Sequence, residues 1–307
     1  MRPLAFVMAA TLCSAPVFAA EPDEIAPPHV FQAVRQVAQD VELIREVMGK
    51  PKLEAPAWIV DHAEPRHVFY QAQTLFRQVG RLAQQMTGEE SVLPPFPMGE
   101  IEPQHVLRVV QAAQERIERV REELGIGYSA ELPTLEPNRE PRDVFRETVQ
   151  AIRQLNLMLD RPIQPRDVYG RLELAAAYVA GALTEDEANP IYGTRPPFDP
   201  GKVPSDVYRR VLECLGLAQE IGQEHGIAVL RLNLRRELRR RDIEPSDVYL
   251  LATTLLAEVA YLTLTLDAKD VDLPPIERPK HIFPSHVFQM AGMLQDELAR
   301  LEAQLQM

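Results

Sequence analysis

Four of the seven histidines in this chain, His29, His67, His105 and His286, occupy one position of a recurring five-residue phrase. In four further copies that position holds Asp143, Asp167, Asp206 or Asp247. The phrase is proline, any residue, His or Asp, valine and then an aromatic residue, replaced once by Leu107; the first copy reads Pro27-Pro28-His29-Val30-Phe31 and the last Pro284-Ser285-His286-Val287-Phe288. Imidazoles and carboxylates gathered together bind metal ions, which makes His29, His67, His105, Asp143 and His286 the candidate ligands. Packing opposes that role, because neighbouring helix axes stand about 8 to 10 Å apart and equivalent side chains do not converge on one ion. Helix initiation is the better use of these groups. Aspartate is a preferred N-cap that accepts hydrogen bonds from first-turn amides and suits the helix dipole, and a neutral imidazole can accept one such bond through a ring nitrogen. All eight positions are therefore expected to start helices, with no metal and no cofactor.

Two other features could do chemistry. The run Arg231 to Arg241 contains Arg235, Arg236, Arg239 and Arg240, and reads as an inserted short helix with one basic face. That face is either solvated charge pairing with an acidic neighbour or a patch for an anionic partner. Aspartate in the phrase is followed by tyrosine at Tyr169, Tyr208 and Tyr249, whereas histidine is mostly followed by phenylalanine. A tyrosine hydroxyl can bond a neighbouring repeat, although interchangeable apolar wedges are the preferred reading. Glycine-rich phosphate loops, nucleophile elbows, paired-cysteine motifs and His-Glu-x-x-His runs are all missing from the sequence, so no catalytic residues are assigned and a non-enzymatic protein is expected.

Successive phrase prolines stand 38, 38, 38, 24, 39, 41 and 39 residues apart, the signature of an internal repeat. After each phrase, apolar residues recur with alternating spacings of four and three. Val30, Val34, Val37, Val41, Ile44 and Met48 form one such stripe, and Val248, Ala252, Leu255, Val259, Leu262 and Leu266 another. That spacing is the seam of a helix packed lengthwise on helices. The fold class expected is all-α, an eight-helix repeat array of period about 38 residues. The connections are rich in proline, which forbids helix and favours extended backbone. Each is long enough, at about 3.3 Å per residue, to run back along a whole helix, so helix starts can collect at one end. Between the fourth and fifth helices only the seven residues Asp160 to Arg166 intervene, with a reach of about 23 Å. This predicts that those two helices are antiparallel or sharply angled neighbours. It also divides the chain into two four-helix halves, residues 20–160 and 161–307, arranged as two bundles or as one curved array.

Residues 1–19 read as a secretory signal peptide, with Arg2, an apolar run from Leu4 to Leu12, and cleavage after Ala19. Removing it leaves no transmembrane segment expected and Cys214 as the one thiol, on an apolar stripe where core packing is its expected use. The formal charge of -12 disfavours a nucleic-acid partner. Composition and repeats together predict a periplasmic or secreted scaffold or protein-interaction module, since stacked helical repeats commonly hold other proteins, and its partner is expected to be another exported protein. The alternative is a receptor for a small ligand or metal ion, with an apolar pocket between the halves near residues 160 to 167. The connection Thr184 to Val203, the longest, is a further candidate for function.

Overall fold

Proline lacks an amide hydrogen and holds φ near its helical value, which suits the first residue of a helix. In the computed structural model every copy of the phrase opens one. The structure describes residues 25–183, 192–266 and 276–306, and there the chain is mostly helical. The signal segment and residues 184–191 of the long connection lie outside the described residues. The helices are α1 Pro27–Val47, α2 Pro65–Thr87, α3 Pro103–Glu123, α4 Pro141–Met158, α5 Pro165–Leu183, α6 Pro204–Glu224, the single turn α7 Leu234–Glu237, α8 Pro245–Thr265 and α9 Pro284–Leu305. Two dipeptide strands, β1 Val60–Asp61 and β2 Arg231–Leu232, pair antiparallel.

The histidine or aspartate of the phrase is the third residue of its helix, not the N-cap. Ahead of seven of the eight prolines the residue is extended, as Glu102 is with φ -107° and ψ 164°, in keeping with the steric demand of a following proline. The third side chain reaches back and accepts that residue's backbone N–H. His29, His67, His105 and His286 accept through Nδ1 from Ala26, Glu64, Glu102 and Phe283 at 3.1, 2.8, 3.0 and 3.1 Å. Asp143, Asp167, Asp206 and Asp247 accept through Oδ2 from Glu140, Gln164, Val203 and Glu244 at 3.1, 2.8, 3.0 and 3.2 Å. This is the returning half of a capping box, and the group satisfied is the amide of the incoming chain.

Helix direction follows from where the phrases meet. Pro27, Val30, Pro65, Val68, Pro103, Val106, Pro141 and Val144 surround one apolar dimple of about 10 Å³. Pro165, Val168, Pro204, Val207, Pro245, Val248, Pro284 and Val287 surround another of about 20 Å³. Within each set of four, all helices therefore start at the same end. In the first set α1 and α2 each pack on α3 and α4; in the second α5 and α6 each pack on α8 and α9. The four-three stripes face inward, with Val34, Val37, Val41, Ile44, Leu75, Val79, Ile117, Leu155, Leu255 and Leu294 fully buried, each burial contributing about 1.5 to 3 kcal/mol.

Parallel neighbours need long returns, and the connections supply them. Residues 48–64 run back along α4. Gln154 bonds Leu53 N–H and Pro51 C=O, Arg153 donates to Pro56 C=O, and Trp58 stacks on Phe145 with ring centroids 6.2 Å apart. Residues 124–140 return along α1, held by Gln36 to Ala130 C=O, Gln32 to Pro133 C=O, and the buried Asp40, which accepts from Ala130 N–H and Arg121. Extended backbone has no internal partners, and the helix-borne glutamines satisfy it.

The expectation that α4 and α5 are neighbours is not met. α4 packs on α1, α2 and α8, and α5 on α8 and α9. The short link instead passes the chain from one set to the other. Helix packing between the sets falls on α8, which touches α2 and α4 as well as α5 and α6, while the β1–β2 pair and the Arg81–Asp167 ion pair also cross between them. Helices α2 and α8 cross in opposite directions, with His67 facing Glu258 and Gln71 facing Leu250 and Thr254. Enclosure from both sides explains why α8 is apolar all round. It alone among the described helices is long and apolar enough to cross a membrane, yet it is mostly buried inside the protein.

Candidate functional site

The eight phrase positions do not form one site. Each accepting atom is turned into the entry of its own helix, and no group of three or more His, Cys, Asp or Glu side chains is placed to hold a metal among the described residues. Because Nδ1 accepts, a neutral imidazole carries its proton on Nε2. His67 is buried, which pushes its pKa down despite the opposing charge of Glu258, whose Oε1 lies 3.1 Å from Nε2. The tyrosine of the phrase is more than a wedge. The hydroxyl of Tyr208 donates to Glu237 at 2.7 Å, that of Tyr249 accepts from Arg171 at 2.8 Å, and that of Tyr169 accepts from Arg195 at 3.4 Å.

The arginine run also divides. Only Leu234–Glu237 is helical, and Arg240 turns inward to Asp247 at 3.0 Å and Glu237 at 3.3 Å, with its guanidinium 5.7 Å from the centre of the Tyr208 ring. Burial opposes its charge, but Asp247, Tyr208 and Glu237 together raise its pKa. Arg235 and Arg239 remain exposed and Arg236 half-buried. Arg240 is thus part of the scaffold and not available to an external anion.

What the sequence leaves unseen is the polar seam between α2, α4 and α8. At one end Arg153 bridges Pro56 C=O and Asp247, the latter at 2.8 Å. At the other, Arg66 pairs with Glu64, donates to Ala228 C=O, lies 3.7 Å from Glu258, and stacks 3.9 Å above the Tyr261 ring. Burial lowers the Arg66 pKa while Glu258 and Tyr261 oppose the shift. Glu258 also accepts Leu230 N–H. Glu258 shows in the sequence only as a carboxylate in the interior of the most apolar helix, whose other carboxylate, Asp247, stands at its start.

Above Arg66 the seam opens into a cleft of about 540 Å³, within the range of ligand pockets. Tyr70, Phe96, Tyr178 and Tyr261 form its walls. Burial and the neighbouring Tyr178 raise the Tyr70 pKa, so its hydroxyl stays protonated. Its rim is apolar and open to solvent: Met98 is 97% exposed, Leu264 68% and Phe96 51%. The connection residues 96–101 supply one wall, so a Pro-rich return doubles as a binding surface. Near residues 160 to 167 the cavity is of a different kind from the apolar pocket expected there. About 510 Å³ in volume, it is lined by Arg81, Gln84, Gln85, Asp160, Arg161, Pro162, Gln164, Arg166 and Asp167.

Two further ionisable groups, Cys214 on α6 and Glu297 on α9, are buried in the packing. Burial pushes the Cys214 thiol up to about 12, and its Sγ lies 3.4 Å from Ala291 C=O on the core stripe, where it fills space. Glu297 on α9 is pushed up to about 7 by burial, with the Gly193 N–H bond at 2.7 Å and Arg300 acting in opposition. That bond anchors the described part of the long connection to a helix. Comparison of the chain with protein-family models, with curated proteins and with solved structures finds no match.

Proposed function

We propose that this chain is an exported, non-enzymatic protein-interaction module built from eight helical repeats of about 38 residues in two four-helix halves, and that its partner inserts apolar side chains into the aromatic cleft at the seam. The observation that carries the reading is the exposed rim of Met98, Leu264 and Phe96 around that cleft. Contiguous exposed apolar surface on an otherwise acidic protein marks an interaction site, and aromatic walls favour binding hot spots. Capture from an exported fraction with the mature chain as bait tests it. The native chain should retain a partner across several salt concentrations, while a folded Met98→Glu, Leu264→Glu variant loses it. Recovery of the bait alone, or of the same proteins by the variant, contradicts the proposal. A second reading, a receptor for a small apolar ligand, is favoured by the volume of the same cleft. It predicts that the native chain and not the variant binds a hydrophobic dye that partner protein does not displace.

A further inference from the structure

Arginine follows the proline in three copies of the phrase, and two of the three are neutralised. Arg66 pairs with Glu64, and Arg142 with Glu140 at 2.9 Å and with Asp61 at 3.2 Å. In both, the residue before the proline supplies a carboxylate. Ahead of Arg166 that residue is Gln164, and no ion pair reaches Arg166, Arg161 or Lys280 among the described residues. Arg166 lies in the first turn of α5, where the helix dipole disfavours a cation. A placement that breaks a local rule without internal compensation points to a use outside the fold.

The surroundings define that use. Arg166 and Gln164 are shared by two cavities on either side of the α5 start. One is the 510 Å³ cavity with Arg81 and Arg161; the other, of about 550 Å³, adds Arg278, Lys280, His281, Ile282 and Phe283. Arg81 is paired with Asp167, Arg278 with Glu173, and the first cavity's other carboxylate, Asp160, with Lys50 at 3.7 Å, which leaves Arg161, Arg166 and Lys280 as the surplus. In a chain of formal charge -12, this local excess focuses anions. Phe283 is 60% exposed beside it, an apolar wall that an inorganic anion would not use.

We propose that the paired cavities flanking the start of α5 bind an acidic peptide segment of a partner protein, whose carboxylates supply to Arg166 the charge that Gln164 lacks and whose apolar side chain packs on Phe283. The site lies at the opposite end of α2 from the aromatic cleft and does not rest on it. The test uses the mature chain and a dye-labelled peptide of glutamates around one phenylalanine, read by fluorescence anisotropy, with the all-glutamine counterpart and inorganic phosphate as competitors. Saturable binding is expected, falling as salt rises. It should weaken about tenfold in R161E/R166E and in Q164E, which rebuilds the internal pair, with R235E/R239E unchanged. Unchanged melting temperatures show that the variants fold. Absence of saturable binding, equal binding by Q164E and the native chain, or displacement by phosphate at equimolar concentration overturns the proposal. Loss of the partner on mutating Met98 and Leu264, with peptide binding intact, separates this site from the cleft.

Discussion

An imidazole Nδ1 and a carboxylate Oδ are each bonded to Cγ, so histidine and aspartate present an acceptor at the same reach from the backbone. That equivalence explains why His29 and Asp143 do the same work at the same place in the phrase, and a bond of this kind is worth about 1 kcal/mol. The sequence shows the position but not the partner. Proline at the first helical residue makes the His or Asp the third, and only then is the incoming amide, rather than a first-turn amide, within reach. Other buried polar groups answer to pH. With the Glu297 pKa raised to about 7 in the folded chain, above its unfolded value of about 4.3, the folded state holds the extra proton between those values. Stability from this group is therefore full at low pH and declines as pH rises through about 7. Glu297→Gln should raise the melting temperature at pH 8 and not at pH 4, as differential scanning calorimetry would show; an equal shift at both pH values contradicts the burial of a chargeable group.

At the scale of elements, the helices were legible because their signals are local: the proline, the third-residue acceptor and the four-three stripe all fall within one segment. The path of the connections was only partly legible. Their length and proline content permit a return beside a helix, but which helix each follows depends on glutamines and glycines far away in sequence, such as Gln154 holding residues 51 to 53. Glycine marks some of these crossings. A Cβ on Gly222 would lie 2.6 Å from Val229 Cγ1, and one on Gly292 would lie 2.9 Å from Pro196 Cγ, whereas at Gly216 it meets nothing within 4 Å. Alanine is favoured over glycine inside a helix by about 1 kcal/mol. G216A should accordingly raise the melting temperature by about 2 to 4 °C, while G222A and G292A lower it. A rise in all three would mean that the connections do not lie on their helices.

For the whole molecule, the helix starts meet in two groups, one from α1 to α4 and one from α5, α6, α8 and α9, and α8 packs on helices of both. The seam between them could not be read from the sequence because its partners, such as His67 and Glu258, are distant and belong to different repeats. The same distance hid the aromatic cleft, whose walls come from α2, α5, α8 and the connection before α3. The position of the cation surplus was visible as Arg161 and Arg166 in the short link, but its lack of internal neutralisation was not. Everything at the seam depends on helix direction, since reversing alternate helices would move half of the phrases to the other end. Spin labels at positions 104 and 142, in the first turns of α3 and α4, measure this directly by pulsed dipolar spectroscopy, with Cys214 buried away from the label. Because α3 and α4 stand diagonally across α1 and α2, parallel axes about 11 to 14 Å apart place the two labels about 20 to 25 Å apart. An up-and-down arrangement adds the length of a helix, about 30 Å, and a measured separation beyond about 35 Å would contradict the parallel sets.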